Sequence, residues 1–169
     1  MGKIVDAFWK ICLFRQGPQD LPASSALMLL GMLAYAATSV FVGLLNLSPV
    51  VALVSGVFDM ALVAAMTQLL LWIRELGARF QQTFTALMGT GAILGLLALP
   101  LLYIQLQVGE QAALLPSVLI LALVVWNLAV VGHILRHAMG APFFVGLLLA
   151  VVFMYVSVSV MRSLFVTTG

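Results

Sequence analysis

Asp59 is the residue in this sequence whose chemistry most needs an account. It stands alone in Val50 to Ile73, VVALVSGVFDMALVAAMTQLLLWI, a run that is otherwise uncharged and as long as a membrane-crossing helix. A carboxylate at bilayer depth costs about 2.5 to 3.5 kcal/mol even on the lenient insertion scale, so it requires a partner, a proton or a task. At a rise of ~1.5 Å per residue it lies ~20 Å from Ile73, slightly beyond the midplane. Tyr35, Asn127, Tyr155 and Ser157 fall at comparable depth in other apolar runs, and Arg162 one or two turns farther could reach inward. Two uses of this intramembrane polar cluster stay open: a protonation or ion site, or a hydrogen-bonded tie that fixes helix packing.

A second constellation is the pair His133 and His137, one helical turn apart, a spacing that can place two imidazoles on one metal. Glu75 is the carboxylate expected at that level, and no third ligand follows close in sequence, so no metal and no cofactor is expected. Histidine in a last helical turn suits the helix dipole, which favours capping or headgroup contact within a patch of Arg74, Arg79, His133, Arg136 and His137. Enzyme motifs are missing: there is no phosphate-binding glycine loop, no HExxH and no serine in a nucleophile elbow. Ser157 and Ser159 have no histidine at their depth, and the expectation is a protein without catalytic residues.

The elements that must position these groups follow from composition. With 64% hydrophobic and 7% charged residues in 169, and a mean hydropathy of +1.25, the chain is far from a water-soluble globule, whose charged fraction is about 25%. It reads as an all-α integral membrane protein. Seven basic residues against five acidic ones are too few for a nucleic-acid face. The lone Cys12 excludes an intrachain disulfide.

Residues 1–15 set Lys3, Asp6 and Lys10 on one side of a helix and Ile4, Phe8, Ile11 and Cys12 on the other. This predicts an amphipathic interfacial helix touching the lipid surface through Lys3, Trp9, Lys10 and Arg15. A Pro/Gly hinge at 16–24 follows, with Asp20 placed to cap the first spanning helix and Pro22 in its first turn. Residues 25–169 then hold five spans, at about 25–45, 50–73, 83–106, 114–135 and 142–164. Ser48 and Pro49 open the second span, Gly77 closes it, Gly109 and Glu110 turn into the fourth, and Gly140 closes that one. Connections this short make successive helices antiparallel neighbours, hence a compact five-helix bundle.

Small residues recur at helical spacing: Gly91 and Gly95 in span three, Ala52 and Gly56 in span two, Gly146 and Ala150 in span five. In lipid, where apolar burial does not drive association, such positions let backbones approach. They predict packing within the bundle and a tight interior, with Pro100 kinking the third span. Lys3, Lys10, Arg15, Arg74, Arg79 and Arg136 all fall on one side, with Arg162 near the other. The positive-inside rule then sets the N-terminus in the cytoplasm and the C-terminus outside.

Five spans, a Pro/Gly hinge and two short cytoplasmic hairpins resemble the Yip1-type family of small five-span membrane proteins. The local matches are Arg79-Phe80-Gln81-Gln82-Thr83-Phe84 with Gly91 and Pro100, and Trp126 leading to His133, Arg136 and Gly140. The shorter bacterial members are the nearer likeness, since the long N-terminal tail and the DLYGP stretch of eukaryotic members are missing here. The resemblance implies a non-enzymatic, partner-binding membrane protein. The expectation is therefore an adaptor, assembly factor or accessory subunit in a bacterial inner membrane, in contact with the lipid bilayer and with a membrane-protein partner or a second copy. The alternative is a small proton-coupled transporter or ion pathway through Asp59.

Overall fold

The computed structural model describes residues 2–109 and 112–166, so Glu110 lies outside the described residues, as does the side chain of Lys3. Helix α1 spans Gly2–Cys12 and is followed by a 3-10 turn at Pro18–Asp20. Then come α2 (Ser25–Gly43), α3 (Pro49–Ile73), a 3-10 turn at Gly77–Arg79, α4 (Phe80–Gln107), α5 (Leu114–Met139) and α6 (Phe143–Met161). A π-helical turn, Arg162–Val166, continues α6. Among the described residues five helices, α2 to α6, are long and apolar enough to cross a membrane. They are apolar all the way round, as a helix facing lipid on one side and protein on the other must be.

The five long helices close into a ring in which α2 packs on α3 and α4, α4 on α5, α5 on α6, and α6 back on α3. The small residues singled out above make these contacts. Gly91 faces the Tyr35 ring and Gly95 the Thr38 methyl, where a Cβ would stand 2.8 Å and 2.7 Å from the nearest carbon. Gly56 meets Ser39, and Gly43 meets Ala52. The closest approach joins Gly132 of α5 to Gly146 of α6, where a Cβ on Gly146 would overlap the Gly132 carbonyl oxygen. All of these contacts lie within one bundle.

Helix ends depart from expectation in two places. Asp20 does not cap α2; its carboxylate accepts the Gly17 N–H at 2.8 Å inside the 3-10 turn. Extended chain beyond Leu21 carries α2's start onward, and Ser24 caps instead, accepting the Leu27 N–H at 3.4 Å. Nor does Gly77 end α3, which stops at Ile73. The left-handed residue is Glu75, φ 58°, flanked by the paired bonds Leu76 N–H to Leu71 O and Glu75 N–H to Trp72 O of a Schellman ending. Gly140, φ 64°, fills the same role for α5 as expected, and Phe14, φ 61°, does so for α1. Pro49 is the first residue of α3, but Ser48 makes no side-chain cap bond, and α4 continues without a break through Pro100.

Glu75 is exposed and its left-handed backbone suits glycine better, so Glu75→Gly is expected to raise stability by about 0.5 to 1 kcal/mol. A higher midpoint of thermal unfolding in detergent supports this. A lower one would show that the Glu75 side chain holds a contact worth more than the strain.

Candidate functional site

The ring positions Tyr35, just past the middle of α2, against Asp59 of the neighbouring α3, because Gly91 of α4 leaves room for the phenol ring between them. The Tyr35 hydroxyl donates to the Asp59 carboxylate at 2.5 Å. A carboxylate that accepts from a phenol in a low-dielectric setting gains a short, strong bond, which offsets part of its desolvation. No Lys or Arg forms an ion pair with Asp59 among the described residues.

The pair stands between two cavities. The larger, about 510 Å³, runs from Asp59 and Asn127 toward the end of the bundle marked by Gly43, Leu102, Ile120 and Met161, and is lined by all five long helices. The smaller, about 200 Å³, borders Asp59 and Tyr35 on the other side, with Asn127, Ser157 and Phe153 in its wall. Below it, toward α1, Leu135, Met139 and Phe153 form an apolar plug with Met66, Leu70 and Leu149. The tight interior expected from the glycine spacing thus holds where helices pair, at Gly43, Gly56, Gly91 and Gly95, and not for the space those helices enclose. Toward the opposite end the helices leave a vestibule that reaches the carboxylate.

Of the residues expected around Asp59, Tyr35 bonds it, and Asn127 and Ser157 share a cavity wall with it. Tyr155 does not belong: it is 71% exposed, on the outer face of α6. Arg162 is exposed in the π-helical turn, and among the described residues it forms no ion pair. The residues that sequence reasoning missed are Ser39 and Ser55, hydroxyls on the vestibule wall; they sit one turn from Tyr35 and Asp59, on the same helices.

At the α1 end a second polar region is built from loops. α1 lies against α4 and α5, with Phe8, Ile11 and Cys12 buried and the Phe8 ring filling the space that Gly89 leaves. Trp126 donates its indole N–H to the Cys12 carbonyl at 2.9 Å, and Trp9 meets the Trp126 ring edge-on at 6.1 Å. Lys10 pairs with Asp6 at 2.6 Å on the exposed side, and Arg15 is exposed. Burial pushes the Cys12 thiol up to about 11, leaving ~10⁻³ of it as thiolate at pH 8 and little reactivity.

The connecting segments are cross-linked to one another. Gln82 donates to the Leu21 carbonyl at 2.6 Å, and Arg79 to the Ala138 carbonyl at 2.9 Å, satisfying the end of α5. His133 Nε2 lies 2.9 Å from the Gln16 carbonyl; a carbonyl only accepts, so that nitrogen carries the hydrogen. Arg136 donates to His137 Nε2 at 3.3 Å and lies over the Phe143 ring. The two imidazoles meet edge-on, 4.5 Å apart, while Phe14 covers the other side of His133 at 5.3 Å. His133 thus ties α5 to the hinge, and His137 lies 3.5 Å from the Gln19 amide of the same hinge. No group of three or more His, Cys, Asp or Glu that could hold a metal occurs among the described residues. Arg74 stands apart, exposed at the end of α3.

At the opposite end the Ser117 hydroxyl bonds Gln105, joining α5 to α4 at 3.3 Å. The α1 end is fastened by bonds between its segments. Compared with known proteins, the chain matches no protein-family model, no curated protein and no solved structure.

Proposed function

We propose that this chain is a non-enzymatic, multi-pass protein of a bacterial inner membrane that works by contact, as an adaptor, assembly factor or accessory subunit of a larger membrane assembly. The observation that carries this reading is the fastened α1 end. There α1, the hinge, the turn at 74–79 and the end of α5 are tied through Gln82, Arg79, His133 and Trp126 into a fixed polar surface. Among the described residues its exposed charges include Arg15, Arg74 and Glu75, a form suited to a partner. This end carries most of the basic residues, which supports a cytoplasmic N-terminus and an interfacial α1. The likeness to Yip1-type proteins, five spans behind a Pro/Gly hinge, agrees with a partner-binding role.

The test is a photo-crosslinking residue at Arg15 or Arg74 in cells at native expression. A discrete adduct at these positions, missing when the probe sits at the lipid-facing Leu69, supports the proposal. Equal adducts at all three positions, or none, would remove it.

A second reading rests on the two cavities meeting at Asp59: a small proton-coupled transporter or ion pathway through Asp59, Tyr35 and Asn127. It predicts that Asp59→Asn folds normally yet abolishes flux in proteoliposomes. Equal flux in both proteins sinks it.

A further inference from the structure

Beyond the contact surface, the vestibule has the composition of a ligand site. Its wall is mostly apolar, from Leu94, Leu102, Ile120 and Val124, and its volume of about 510 Å³ lies within the range of small-molecule pockets. Its polar groups gather toward the inner end, Asp59, Tyr35 and Asn127, with Ser39 and Ser55 one turn nearer the mouth. The Asp59 carboxylate has one oxygen engaged by Tyr35 and no cationic side chain beside it among the described residues. A carboxylate with a free acceptor side, at the bottom of an apolar well, is complementary in its ionised form to a positive charge carried on an apolar body. A hydrated metal ion is a poorer fit, because it needs six or more oxygen ligands and the floor offers few around one carboxylate.

We propose that this vestibule binds a hydrophobic organic monocation, its charge held against Asp59 and its apolar part among the helix walls. The inference stands apart from the contact role: in an accessory subunit such a ligand would regulate, and in a transporter it would be cargo. Entry is from the end opposite α1, since the Leu135, Met139 and Phe153 plug closes the other side.

The experiment uses the full chain in lipid nanodiscs with tetraphenylphosphonium as radiolabelled probe and tetraphenylborate, equal in shape and opposite in charge, as its comparison. The probe cation is expected to bind saturably to the wild type, at least about tenfold more tightly than the anion, because the carboxylate attracts the one and repels the other. Asp59→Asn is expected to remove that preference. Ala98→Phe, which fills the vestibule and keeps the carboxylate, is expected to remove saturable binding altogether. Equal binding of the two ions by the wild type overturns the proposal, as does undiminished binding by Ala98→Phe. If Asp59→Asn does not fold, those two comparisons still decide. Failure of the crosslinking test above would leave these results untouched, so the two ideas fail separately.

Discussion

Gly146→Val is expected to abolish the folded bundle. A Cβ at this position would run into the Gly132 carbonyl oxygen and lie 2.9 Å from the Arg136 Cβ, and the first of these is backbone that has no rotamer to yield. Separating α5 from α6 enough to admit a branched side chain would forfeit the van der Waals contact that drives helix association in lipid. Overpacking of a core costs about 1 to 3 kcal/mol where side chains can move, and more where they cannot. The expected outcome is loss of the monodisperse peak on size exclusion and a steep fall in accumulation. Gly77→Ala, where nothing lies within 4 Å, is the control expected to behave as wild type. Normal accumulation and stability of Gly146→Val would mean that α5 and α6 do not touch at Gly132.

The second large effect is expected of Phe8→Ala. Phe8 is 6% exposed and its ring fills the notch at Gly89, so truncation leaves a hole that neither backbone can close. A buried Phe→Ala change costs about 3 kcal/mol or more, which here falls on the docking of α1 and not on the five-helix ring. Cys12 reports it, because its thiol is buried beneath α1 and its acidity suppressed by that burial. Maleimide labelling of Cys12 is expected to be slow in the wild type and to accelerate about 100-fold in Phe8→Ala, the factor that ~3 kcal/mol of easier opening gives. Raising the pH should speed labelling in both proteins until the thiol's own range, near 11, is passed. An unchanged rate would show that α1 is held by something other than this ring.

The long helices, the small-residue contacts and the Tyr35 to Asp59 pairing were legible in the sequence, because each follows from a local rule. Apolar length marks a span, a four-residue spacing marks a helix face, and a buried carboxylate seeks a donor at its own depth. What was not legible depends on which helices are neighbours. Nothing in the spacing of α1 shows that Phe8 meets Gly89 or that Trp126 reaches the Cys12 carbonyl, since those contacts span 81 and 114 positions. Glu75 and Phe14 in left-handed conformations escaped for a different reason: Gly77 and Gly17 nearby were the residues a local rule selects. Asp20 is a similar case, as an aspartate before a proline reads as a cap wherever the helix start is unknown. The vestibule was hidden because glycine spacing reports where helices touch and is silent about where they diverge. Tyr155 and Asn127 have similar depths, yet one faces outward and the other the cavity, a matter of rotation about the helix axis that an all-round apolar helix does not encode.

The account holds that the bundle is closed at the α1 end and open toward Asp59 from the other, which is what separates a contact-acting protein from a conduit. Cysteine accessibility tests this directly in a Cys12→Ala background, with Ala98→Cys on the vestibule wall and Met66→Cys in the apolar plug. A membrane-impermeant thiol reagent is applied to each side of the membrane in turn. The predicted result is labelling of Ala98→Cys from the side opposite α1 alone, and of Met66→Cys from neither. Labelling of Met66→Cys from either side, or of Ala98→Cys from the α1 side, would contradict it.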